Sequence, residues 1–161
     1  MKVGRMIEMA HGSTSDLADD LRSVAERHAT DHAVYHVGRL LADRFDELAS
    51  SLEPFAEQYG QRVGGADDDG LHELAERIRR GSAALLGNSE ATGLLLLRDL
   101  RDLATEAHGV QMDWTVLKQS ALVARDQPLL QAATRGMDET KRVVVWLTTR
   151  IKESAPQIVA S

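Results

Sequence analysis

Three histidines, His28, His32 and His36, recur at four-residue intervals, the spacing that places side chains on one face of a helix. Imidazoles so arranged are ligands for divalent transition metals, and Glu106 and His108 extend the candidate metal set to His28, His32, His36, Glu106 and His108. A plainer reading competes with this one. Measured from Val34, the origin of an apolar stripe, His32 and His36 lie about 160° and 200° round a helix that turns about 100° per residue. They therefore face away from the stripe, beside Asp43 and Glu47, as members of a solvated polar face. His28 closes an apolar seam instead and reads as a hydrogen-bonded or capping histidine.

Other chemistries find less support. The chain contains no cysteine, which removes disulfides, thiolate zinc sites, iron–sulfur clusters and cysteine nucleophiles together. Gly87-Asn88-Ser89-Glu90-Ala91 lacks the second glycine of a nucleophile elbow, and no phosphate-cradling glycine pattern occurs. Asp67-Asp68-Asp69-Gly70 begins like a calcium loop, but its twelfth position is Ile78 where a bidentate glutamate is needed, so a helix cap is the expectation. Arg77-Ile78-Arg79-Arg80 suits the last turn of a short helix, where cations complement the helix dipole. With 25 acidic against 19 basic residues the net charge is −6, which disfavours nucleic acid as a partner. No catalytic residue is assigned, and the reading leans away from an enzyme.

The elements that must position these residues are helices. Aromatic residues make up only 4% of the 161, so Leu, Val, Ala and Met must build the core, as in helix-on-helix packing. Val3, Ile7, Ala10, Leu17, Leu21, Val24 and His28 follow three- and four-residue steps, with Thr14 on the one polar rung; this predicts a helix over 3–29 with an irregularity at Gly12. Thr30-Asp31 caps a second helix over 31–59, carried by Val34, Val37, Leu41, Phe45, Leu48, Leu52, Phe55 and Tyr59 and kinked late by Pro54. Glycine-rich stretches then surround a short helix at 70–80 inside a long connection. A third long helix, 89–125, has its seam at Leu96, Leu100, Leu103, Ala107, Val110, Trp114, Leu117, Ala121 and Ala124, with Gly109 as the expected break. Asp126 and Pro128 start the last helix, 127–155, whose seam is Leu130, Ala133, Met137, Val144, Leu147 and Ile151. Trp114 belongs to the core, whereas Trp146, with Val143, marks either a subunit contact or the flank of the core.

The prediction is an all-α domain spanning 1–161, an antiparallel four-helix bundle of two helical hairpins joined by a long crossover that contains a short helix. A crossover of about thirty residues can run back along the bundle, leaving the second and third helices parallel, and this helix order is similar to that of the ferritin-like superfamily. The resemblance covers nearly the whole chain. It implies a di-iron site built from Glu-x-x-His pairs, yet the sequence has none: Glu47, Glu53, Glu106 and Glu139 are followed three residues later by Ser50, Ala56, Gly109 and Arg142. Ferroxidase or oxygenase activity is therefore not carried over. His28-x-x-x-His32 and His108-x-x-x-x-Asp113 resemble two spacings of hemerythrin-like oxygen carriers, but the His-x-x-x-Glu element is missing.

Three functions remain. The favoured one is a non-catalytic, metal-free bundle acting through self-association, as a dimer, or through a partner protein. The alternative is a metal-binding bundle of oxidoreductase or storage type, holding iron or another divalent transition metal at an atypical His/Glu site. The third is a binder of a small apolar or planar cofactor between helices lined by Met6, Met9, Met112 or Met137. No other cofactor is expected. With no apolar run long enough to span a bilayer and no apolar leader segment at the start, a cytoplasmic location and no membrane partner are expected.

Overall fold

A computed structural model of the protein describes residues 2–64 and 89–160. The short helix expected at 70–80, with the acidic run at 67–70 and the basic run at 77–80, lies outside the described residues. Those described form five helices: α1 (Val3–Arg27), α2 (His32–Ser50), α3 (Glu53–Gln58), α4 (Ser89–Ala124) and α5 (Gln127–Ala160). The four long ones pack as two antiparallel hairpins, α1 with α2 and α4 with α5.

Named contacts fix the direction of each helix. His28, just past the end of α1, meets Asp99 early in α4, while Val3 and Met6 share a groove with Val116 and Val123 late in it; α1 and α4 are therefore antiparallel. Asp31 pairs with Arg150 at 3.2 Å, and Arg44 faces Glu139 at 3.8 Å, so α2 is antiparallel to α5. It follows that α2 and α4 run in the same direction. Gln61 packs on Gly4 at one end of the bundle and Ile158 packs on Gly93 at the other, so the chain between 64 and 89 joins opposite ends.

Side-chain caps set the starts of α2 and α5. The Asp31 carboxylate accepts from Val34 N at 3.1 Å, and Asp126 accepts from Leu129 N at 3.0 Å, each satisfying an amide that has no helical partner. The second predicted helix is two helices. Ser51 and Leu52 form a turn between them, and Pro54 sits in the first turn of α3, where its missing N–H breaks no helical bond. Pro54 thus starts a helix and kinks none. Gly12 and Gly109 interrupt nothing: a Cβ added at either meets no neighbour, and the apolar seams on both sides outweigh a propensity cost of about 1 kcal/mol. The last helix passes Pro156 and continues to Ala160, its end held by Ile158 packed over Gly93.

The core lies where the seams of α1, α2 and α4 are expected. Ile7, Ala10, Thr14, Leu17, Leu21, Val34, Phe45, Leu100, Val110, Trp114 and Leu117 are fully buried. In α5 the seam is displaced, running through Leu129, Ala133, Gly136, Thr140, Val143 and Leu147. Gly136 is there because Trp114 lies on it: a Cβ at 136 would sit 2.2 Å from Trp114 Cδ2. The Thr140 hydroxyl is satisfied internally, donating to the Gly136 carbonyl at 2.7 Å. Val143 is core, which removes it as a subunit contact, and Trp146 is half-buried against the core's edge. Among the described residues, no helix is long and apolar enough to cross a membrane.

Candidate functional site

The five candidate metal ligands are not brought together. His28 is 3% exposed in its side chain and donates from Nε2 to Asp99 Oδ2 at 2.8 Å; Arg27 Nη1 reaches the same oxygen at 2.7 Å. The sequence places Asp99 71 residues away, so only the antiparallel packing of α1 on α4 could reveal the pair. Burial pushes the Asp99 carboxyl up, but the hydrogen bonds from His28 and Arg27 and the charge of Arg27 outweigh it and hold Asp99 below the usual carboxylate range. The ionised carboxylate keeps the ring proton on Nε2. The arrangement is a buried ion pair that locks one end of the bundle. Beside it opens a cavity of about 620 Å³, with Asp31, Arg150 and Gln157 on its walls.

Glu106 is half-buried between α4 and α1 and faces other acids. Burial first, then the charge and hydrogen bond of Asp20 and the charge of Asp16, push its carboxyl up to about 9. A carboxyl that shares a proton with its neighbour is not poised as an anionic ligand at neutral pH. His108 is exposed on α4. His32 and His36 are exposed on α2, one helical turn apart, with rings stacked at 6.0 Å. Among the described residues no group of three or more His, Asp or Glu side chains could hold a metal ion. The methionines do not line a common interior cavity either: Met9 and Met112 are on the surface, while Met6 and Met137 pack against the core.

What the sequence reading missed is a second apolar stripe on α4. Met112, Val116 and Val123 are 54%, 43% and 77% exposed, values high for three large hydrophobic side chains on one helix. Taking the buried Trp114 as origin and about 100° per residue, Met112, Val116, Gln119 and Val123 lie about 140–200° round the helix, opposite its buried seam. Their spacing of four, three and four residues is that of a helix-packing seam. In the sequence this stripe is masked by the stronger seam that shares its helix.

Alongside α1 this stripe forms a groove of about 480 Å³, walled by Lys2, just before α1, by Val3 and Met6 from α1 and by Val116, Gln119 and Val123 from α4. Among the described residues no carboxylate lines it, although acids outnumber bases in the chain. Toward the start of α4 the same face becomes polar, with Arg98, Arg101, Thr105 and His108. The continuous apolar stripe is thus in the half of α4 that lies along the start of α1; Leu94, 54% exposed on the same face near the other end, is separated from it by this polar stretch. No family model, curated protein or solved structure matches the chain, so its assignment stops at an all-α protein of four long helices.

Proposed function

We propose that the protein is a non-catalytic helical bundle that works by self-association, two copies meeting across the groove between α1 and the second half of α4. The observation that carries this reading is the exposed seam Met112–Val116–Gln119–Val123, opposite the buried seam of the same helix. A helix with apolar stripes on two opposite faces needs a partner on each. The described residues cover one.

The charge distribution favours a second copy as the other partner. Two chains that each carry −6 repel unless they meet where carboxylates are missing, and among the described residues this groove has none. The centres of homodimer interfaces are similarly apolar and depleted of charge. Two-fold association pairs a stripe with itself, so one exposed seam is sufficient. The connectivity, with α2 and α4 parallel, is similar to that of ferritin-like bundles, and this chain is then a member of that architecture without its di-iron carboxylates.

The reading is tested by Val116→Asp, which puts a carboxylate into the seam, against Leu40→Asp, which does the same at an exposed leucine on α2. V116D is expected to be monomeric with unchanged helix content, and L40D to remain a dimer. Equal oligomeric states in the two variants contradict the assignment of the face.

A further inference from the structure

We propose that His32 and His36 form a two-nitrogen chelate for a borderline divalent transition metal such as zinc, nickel or copper, on the face of α2 away from the core. Both side chains are exposed, and their rings lie nearly parallel, 6.0 Å between centroids and 13° between planes. Two histidines four residues apart on one helix face supply the paired imidazoles of helical zinc sites. Metal–nitrogen bonds of about 2.0–2.1 Å require the rings to turn toward a common point. Among the described residues neither ring holds a hydrogen bond that the rotation would have to break; His36 gives up only its stacking on His32 and the edge contact with the Tyr35 ring, 5.0 Å between centroids. Water completes the coordination, since no third His, Asp or Glu joins the pair among the described residues.

The backbone under the pair is anchored. Asp31 caps the first turn of α2 through Val34 N and is fixed to Arg150, so the two Cα positions are preset when an ion arrives. Two influences oppose a cation here. The start of a helix carries a partial positive charge, and Arg39 lies one turn further on, its guanidinium 5.2 Å from the Tyr35 ring. Both act on the ion only through its charge, whereas the two imidazoles bind it by direct coordination, so these influences weaken the site without abolishing it. Imidazole donors exclude magnesium and calcium, which require oxygen ligands.

The test is calorimetric titration of the untagged full chain with zinc and with nickel at pH 7.5, with magnesium as the control. One ion per chain with micromolar affinity is expected for zinc and nickel, and no binding for magnesium. His36→Ala and His32→Ala should each weaken zinc at least tenfold, while His108→Ala leaves it unchanged. Both paired histidines are exposed, so circular dichroism should show each variant folded. Absence of saturable zinc binding, or binding that survives loss of both histidines, overturns the proposal.

Discussion

Gly136→Ala is the substitution for which the packing of α4 on α5 makes the sharpest prediction. In an ordinary helix the change is favourable by about 1 kcal/mol, because alanine loses less backbone freedom than glycine. Here the new methyl would lie 2.2, 2.3 and 2.5 Å from Trp114 Cδ2, Cε3 and Cε2, well inside van der Waals contact. Trp114 is fully buried among core residues and cannot swing aside, so the helices must separate. Overpacking of this kind costs about 1–3 kcal/mol, and more when the obstacle is rigid. After the propensity gain, a net destabilisation of up to about 2 kcal/mol is expected. Urea unfolding followed by circular dichroism, at one fixed protein concentration, measures it. The decisive arm is the same substitution in a Trp114→Leu background. That background is itself destabilised by loss of the indole, but the smaller side chain leaves room at 136, so G136A should become neutral or stabilising. A reversal of sign between the two backgrounds isolates the Trp114–Gly136 contact. If G136A stabilises the protein with Trp114 in place, the packing argument is refuted.

Two further predictions concern buried carboxyls. Asp99→Asn leaves the buried Arg27 guanidinium without its counter-charge and should cost about 3–5 kcal/mol, the range for breaking a buried pair. Because the folded pKa of Asp99 is depressed, its stabilisation is present above the unfolded carboxylate value and is lost as pH falls through the folded one; acid unfolding of D99N should lack that component. A pH–stability profile of D99N that parallels the parent's at low pH would contradict this. Glu106 works in the opposite sense. Its folded pKa, about 9, lies above its ordinary 4.5, so the native state holds the extra proton and stability falls as pH rises through that window. Glu106→Gln removes the titrating group, and the variant should be the more stable protein at pH 8 but not at pH 4; an unchanged slope in thermal melts between those limits would count against the carboxyl pair.

The parts of this fold that the sequence revealed are those built from large aliphatic side chains at regular steps. In α1, Val3 through Val24 occupy the core as the spacing requires, and Thr14 fits because its hydroxyl donates to the Ala10 carbonyl within the same helix. The seam of α5 was misplaced for the opposite reason. Its buried positions include Gly136 and Thr140, which look like surface residues until Trp114 is laid across the first and the Gly136 carbonyl accepts from the second. Pro54 and Pro156 show that the same residue starts a helix when it falls in the first turn and is tolerated where a neighbour holds the end. The chemistry was less legible than the architecture. His28 was read as a hydrogen-bonded or capping histidine, but its partner Asp99 lies on another helix. The second stripe of α4 shares its helix with a stronger seam, which concealed it.

Sedimentation equilibrium of the native chain over a range of concentrations tests self-association most directly. The account predicts a mass of twice 17.7 kDa at micromolar concentration, falling toward 17.7 kDa on dilution. A mass of 17.7 kDa at every concentration would contradict it, and would leave the exposed seam of α4 as a face for some other partner.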